Sequence, residues 1–361
     1  MIDDFLKSKK VIVCAGTGGV GKTTLSAALA VRAATLGVNV LVLTVDPARR
    51  LANALGLQNL DEETLVPGQT YPGKLFAAQV DQKRILDRFV RQSGLGEGVI
   101  GRILNNNIYQ KLSTTLSGSQ EFTALERLYE AYESGKYGLI VLDTPPAAHS
   151  VEFLDSAQKL AAFFQDSIVK WFIRPFQTRN AFVNLIHRGT NLAFKAFERL
   201  TGSAFLHELL DFLSEIYGLR DRLRERMELV HQLLLKDETS FVLVTSFDAA
   251  KIEEAKRFQR ELAQRKYSLS HVVINRAFPS WTMSAQDQRT GPVFNEKLVT
   301  YYRHLKEFFM AHESAFTAFK ADLKAQNLTS VQFLRIPDFD QDVYDLKSLE
   351  RVAQALVTAG E

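Results

Sequence analysis

The chain has 361 residues, 46% of them hydrophobic and 24% charged, and carries a net charge of +3 from 44 basic and 41 acidic side chains. That length buries a large core, as one big α/β domain or one domain with an insertion, and so balanced a charge gives no argument for nucleic acid as a partner. The single cysteine, Cys14, excludes an internal disulfide and a Cys-rich zinc site, and no apolar run approaches the ~20 residues of a membrane span, so a cytoplasmic protein is expected.

In chain order, the acidic start Met1-Ile2-Asp3-Asp4-Phe5 is expected to run straight into the first strand, leaving no room for a signal peptide. Residues 10–14 read as a short buried strand and residues 24–36 as an Ala-rich helix. Between them, Gly16-Thr17-Gly18-Gly19-Val20-Gly21-Lys22-Thr23 fits the phosphate-loop pattern G-x-x-x-x-G-K-[ST] in the strand–loop–helix context that the pattern requires. Such a loop aims backbone N–H groups and a helix N-terminus at one anion. Lys22 is expected to reach the β- and γ-phosphates of a nucleotide, and the Thr23 hydroxyl to complete a Mg²⁺ shell. Thr24 extends the loop into the helix.

Residues 39–45, 74–80, 138–143, 240–246, 270–275 and 331–336 are near-continuous apolar runs of the kind buried on both faces of a parallel sheet. With residues 10–14 they make seven strands, mostly separated by helical patterns. The expected fold is therefore α/β, a doubly wound and mostly parallel sheet with its ligand at the strands' C-terminal ends. Residues 82–135 and 152–237 carry helical periodicity without strands, which predicts a helical subdomain inserted into a nucleotide-binding domain of 1–81, 136–151 and 238–361. Phe205, Leu209, Phe212 and Ile216 share one helix face, as do Phe194 and Phe197. The polar stretch 280–292 reads as a surface loop.

Several strand ends carry chemistry. Asp46, followed by Pro47-Ala48-Arg49-Arg50, is placed to orient an attacking water, or equally to cap a helix that begins at Pro47. Asp143, followed by Thr144-Pro145-Pro146-Ala147-Ala148-His149, supplies the second half of a nucleoside-triphosphatase site, holding Mg²⁺ directly or through water, as Thr23 and Asp46 would. His149 suits a structural hydrogen bond in a switch loop. Asn275 presents a donor and an acceptor to adenine, or is an ordinary turn residue.

These motifs in this order resemble the ArsA family of ATPases, which includes arsenite-pump ATPases and the eukaryotic ATPase that delivers tail-anchored membrane proteins. It is part of the MinD-like group of dimeric P-loop enzymes, in the signal-recognition/MinD/BioD class. The resemblance spans nearly the whole chain. Gly16 to Thr24 resembles G-K-G-G-V-G-K-T-T, Asp46-Pro47-Ala48 the family's switch I, and Asp143 to His149 its D-T-A-P-T-G-H switch II. Ser117-Gly118-Ser119-Gln120-Glu121 resembles the P-G-x-x-E segment, Val273-Ile274-Asn275-Arg276 the strand whose Asn reads adenine, and Ile336-Pro337-Asp338-Phe339-Asp340 the loop over the base. The resemblance implies ATP and Mg²⁺ as ligands, Asp46 as the residue that positions the hydrolytic water, and a dimer.

Three departures stand out. Thr17 occupies the place of the signature lysine that reaches the partner subunit's nucleotide; Arg49 and Arg50, beside Asp46, are the nearest candidates to replace it, or else a surface pair bonding to local carboxylates. The zinc-binding C-x-x-C pair is absent, as are the metalloid-binding cysteines, so neither zinc nor arsenite is expected. Phe163, Phe164, Trp171, Phe172, Phe176 and Phe182 crowd a short stretch that reads first as core and second as a cavity for a hydrophobic client or lipid. With 25 Phe against 4 Met, the chain is a poor match to an adaptable helix-binding groove.

The expected activity is Mg-dependent ATP hydrolysis by water attack, coupled to rearrangement of a dimer and of the helical subdomain. The alternative is a nucleotide-binding regulatory or scaffold subunit with little turnover, as half of a heterodimer with a paralogue. A small-molecule kinase lacks a clear basic lid here, and GTP is disfavoured because no N-K-x-D motif occurs. Membrane association, where it occurs, is expected to be peripheral and through a partner.

Overall fold

The computed structural model describes residues 2–45, 49–57, 60, 63–115, 119–144, 202–277, 296–326 and 328–359. The chain divides into two compact units: Met1–Gln79 with Ala131–Val151 and Leu234–Glu361, and Val80–Glu130 with Glu152–Leu233.

The first unit is built on strands β1 (Val11–Gly16), β2 (Val40–Thr44), β3 (Thr64–Leu65), β4 (Leu75–Gln79), β5 (Leu139–Asp143), β6 (Thr239–Ser246), β7 (Leu269–Ala277) and β8 (Gln332–Pro337). They form one sheet in the order β3-β4-β2-β5-β1-β6-β7-β8. All pairs are parallel except β3 with β4, so the fold is the doubly wound α/β arrangement. β1, β2 and β5 are buried along their whole length, which is why their sequences are dominated by Val, Ile and Leu up to their C-terminal ends. β1 lies between β5 and β6, and its C-terminal end is the crevice where such sheets bind ligands.

One face of the sheet, with Ile12, Cys14, Val42, Val141, Val242 and Val273, packs on helix α2 (Lys22–Thr35). Ala27, Ala28, Ala30, Ala33 and Ala34 of α2 are fully buried, and such small side chains let this helix lie close to the sheet. On the other face, Phe333 of β8 meets Phe316 and Phe319 edge-on.

Two local features differ from the sequence expectation. The N-terminus does not run straight into β1: Ile2–Ser8 forms helix α1, which buries Ile2 and Leu6 and binds Arg32 of α2 through Asp3. The strand β3 was not anticipated, and at two residues it is too short to show any periodicity.

In the second unit every described element is helical: α4 (Gln82–Arg91), α5 (Glu97–Asn105), α6 (Asn107–Thr115), α8 (Ser203–Tyr217), and most of α7 (Ser119–Glu133) and α9 (Arg220–Leu235), α3 being Arg49–Ala54 of the first unit. Its core joins Val90, Ile100, Ile103, Tyr109, Phe212 and Leu219. Of the stripe read on α8, Phe212 is buried and Ile216 packs against that core, whereas Phe205 is 40% exposed. The stripe therefore leaves the core at its N-terminal end. Among the described residues no helix is long and apolar enough to cross a membrane. Phe163, Phe164, Trp171, Phe172, Phe176, Phe182, Phe194 and Phe197, the segment Ser117-Gly118 and the loop 280–292 lie outside the described residues.

The first unit continues after α9 with α10 (Ala249–Gln264), α11 (Glu296–Ala325) and α12 (Leu346–Thr358), the last capped by a reciprocal Asp345–Ser348 box.

Candidate functional site

Gly16 closes β1 where the backbone of β6 comes so near that a Cβ would lie 2.0 Å from the Val244 carbonyl oxygen. Only glycine fits, and the chain turns there into the loop Thr17 to Gly21. Gly21 is the N-cap of α2 in the left-handed region, at φ 88° and ψ 27°, with no side chain capping the helix. The first intrahelical bond runs from Leu25 N–H to the Gly21 carbonyl, so the N–H groups of Lys22, Thr23 and Thr24 have no acceptor within the helix. Uncapped donors and the helix dipole together make an anion site. Gly18 and Gly19 are exposed, while Val20 is buried beneath the loop.

The lysine of the loop is held inside it. Lys22 is buried, and its Nζ donates to the carbonyls of Gly16 at 3.0 Å and Thr17 at 2.9 Å. Thr17 itself is fully buried, a neutral side chain that does not reach the surface.

Beside the loop stands the tip of β5. Thr23 Oγ1 donates to Asp143 Oδ2 at 2.7 Å, and Thr44 Oγ1, from the end of β2, donates to the same oxygen at 3.1 Å. Asp143 is 1% exposed, so a carboxylate is held in the interior within reach of two hydroxyls. Thr144 is pinned to β1, with its N–H and its hydroxyl both donating to the Cys14 carbonyl. Cys14, wholly buried below the loop, has its thiol pushed up to about 12 by burial.

At the other end of the loop, Asn275 Nδ2 donates to the Val20 carbonyl at 2.8 Å. Asn275 therefore braces the phosphate loop as well as lining the cleft beside it. That cleft, about 90 Å³, is lined by Gly19, Gly21 and Thr24 on one side and by Asn275, Arg276, Pro337 and Asp338 on the other. Three of the residues expected to surround a base, Asn275, Pro337 and Asp338, are thus brought against the loop.

Some expected site residues are not placed. Asp46, Pro47, Ala48, Pro145 and His149 lie outside the described residues, and Arg49 is described only as the start of the backbone of α3. Two functional candidates were given no role in the sequence reading: Thr44, which lies within the apolar run 39–45 and ends β2, and Arg276, which was read only as the neighbour of Asn275.

A profile of the anion-transporting ATPase family matches residues 9–358. The chain belongs to that family. It is 27% identical over 289 residues to the ATPase GET3C of Arabidopsis thaliana, covering 76% of this chain and 68% of the relative. It is 26% identical over 305 residues to the ATPase GET3 of Paracoccidioides lutzii, covering 84% and 83%. To the ATPase ASNA1 homolog of Cryptosporidium parvum it is 27% identical over 288 residues, covering 78% and 69%. This anion-transporting ATPase family member is an ATPase with a nucleotide substrate, and the phosphate loop Gly16 to Thr23 falls wholly inside the matched region.

Proposed function

We propose that the chain hydrolyses Mg·ATP by attack of water, with the triphosphate on the loop Gly16 to Thr24 and the base in the cleft between that loop and Asn275, Pro337 and Asp338. The observation that carries this reading is the Thr23–Asp143 hydrogen bond, which sets a hydroxyl and a carboxylate together beside the open N-terminus of α2. Their donor chemistry suits Mg²⁺, a hard cation that takes oxygen ligands and dehydrates reluctantly. Among the described residues no group of three or more His, Cys, Asp or Glu side chains is assembled to hold a metal. A Mg²⁺ here would draw on Thr23, Asp143 and the phosphates, directly or through water, as is usual where the metal arrives with a nucleotide.

When bound, the metal supplies charge neutralisation at the phosphates. Lys22 exchanges its two carbonyl acceptors for phosphate oxygens, and the N–H groups of the loop hold the chain of phosphates in line. Asp46 orients the attacking water, and the segments Pro47 to Arg49 and Thr144 to His149 serve as the two switches. Homodimerisation, or pairing with a paralogue, and movement of the helical unit follow nucleotide state, with a hydrophobic client or lipid at that unit. The test is steady-state phosphate release with Mg²⁺ or with EDTA, alongside light scattering without nucleotide, with ADP and with a non-hydrolysable ATP analogue. Hydrolysis that persists in EDTA would sink the Mg·ATP reading, and a monomer in all three states the dimeric one.

The second reading, a nucleotide-binding subunit with little turnover, draws on one observation, the buried and neutral Thr17. Strong stimulation of turnover by a lysine-bearing paralogue, over a near-zero rate for this chain alone, would favour it.

A further inference from the structure

Among the described residues only Lys266 and Arg276 are non-glycine residues with positive φ, at 62° and 52°. Lys266 lies between α10 and β7, where chain reversal accounts for it. Arg276 is different, because it sits inside β7. There the pairing with β8 loses register between Ile274 and Ala277, so Arg276 is carried by a bulge. Bulges beside functional sites re-aim a side chain, and a non-glycine residue in this region of φ costs backbone energy.

What the bulge aims at is the cleft. Arg276 lines it together with Gly19, Gly21 and Asn275, and its Nε lies 3.8 Å from Asp338 Oδ1 on the β8 side. The two side chains are 68% and 61% exposed, and an ion pair so open to water contributes little to folding. Stability therefore does not explain the backbone cost. A guanidinium is planar, weakly hydrated and stacks on aromatic faces. We propose that Arg276, oriented by Asp338, stacks on the base of the bound nucleotide and sets affinity for the nucleoside part and not for the phosphates. This rests on the cleft being the nucleotide site.

The test is calorimetry of Mg·ADP and of Mg²⁺ with inorganic tripolyphosphate, on wild type, Arg276→Gly, Arg276→Lys and Asp338→Asn. Glycine is the informative replacement because it accepts the φ of 52° without strain. Arg276→Gly is expected to weaken ADP about tenfold and leave tripolyphosphate within about twofold. Arg276→Lys, which keeps the charge and loses the plane, should weaken ADP nearly as much, and Asp338→Asn by about threefold. Unchanged ADP binding in Arg276→Gly overturns the proposal while leaving the nucleotide site standing. Equal weakening of ADP and tripolyphosphate also overturns it, because the side chain would then be serving phosphate. A wild type that binds neither ligand defeats the nucleotide reading of the cleft and this proposal with it.

Discussion

Thr23 donates its hydroxyl proton to Asp143 Oδ2 at 2.7 Å, joining two residues 120 positions apart in sequence. The bond fixes the first turn of α2 to the tip of β5, so the phosphate loop and the second acidic strand end form one rigid corner. Thr44 adds a longer bond to the same oxygen from β2.

The corner predicts a graded mutational series. Asp143→Asn and Thr23→Ala should each lower ATP turnover about 10²-fold or more, the range seen when one preorganised electrostatic group is removed. Thr44→Val should cost about 1 kcal/mol of stability, with turnover falling only a few-fold. Phosphate release and thermal melts on the three variants check this; equal losses for Thr44→Val and Asp143→Asn would contradict it.

Gly21 tests the left-handed cap. A Cβ there would lie 2.3 Å from Asn275 Nδ2, and φ is 88°. Gly21→Ala should therefore break the Asn275–Val20 bond and cost about 1–3 kcal/mol in strain and lost hydrogen bonding. Nucleotide affinity should fall with stability, whereas Gly19→Ala, whose Cβ meets no protein atom within 4 Å, should keep the Asn275–Val20 bond and lose stability only through backbone strain. Melting temperature and ADP affinity on both variants separate the two effects.

Cys14 should be chemically silent in the native state. It is fully buried, and its thiol is pushed up to about 12, chiefly by burial and in part by the Asp143 charge. Little thiolate exists at mildly alkaline pH, and reagents cannot reach it. Titration with a chromogenic disulfide should find almost no reactive thiol in the folded protein and one per chain in guanidinium. Rapid native labelling would contradict the packing of β1 beneath the loop.

His271 gives stability a pH dependence of known sign. Burial pushes its imidazole down to about 4 from 6.5, with the Phe5 ring 4.4 Å away. The folded state therefore holds the neutral ring while the unfolded chain takes up a proton. The stabilisation is whole above about pH 6.5, shrinks as pH falls, and amounts to a loss of about 2 kcal/mol near pH 5. Melts at pH 7 and pH 5 should show a larger drop for wild type than for His271→Gln. Identical drops would mean that the ring is not held neutral.

Much of this was readable from the chain alone. Strands buried on both faces must be continuously apolar, so β1, β2, β5 and β6 declare themselves, and the loop Gly16 to Thr23 is specified by spacing and context. Helix α1 was hidden because seven residues, apolar only at Ile2, Phe5 and Leu6, span about two turns, too short a stretch for a periodic signal to stand out. The bracing of Val20 by Asn275 and the turning of Arg276 into the cleft arise from pairing between strands far apart in sequence. No local pattern encodes them. The register break that carries Arg276 depends on how β7 meets β8, which only the folded sheet decides.

Helices α1 and α12 both rest on a single helix. α1 is tied to α2 through Asp3 and Arg32, and α12 packs on α2 and touches α1. Since α2 begins at Lys22, loosening of α1 or α12 would weaken the support of the phosphate loop itself. A proteolytic nick in residues 2–8 or 346–358 should thus reveal itself as weakened nucleotide binding before the sheet unravels.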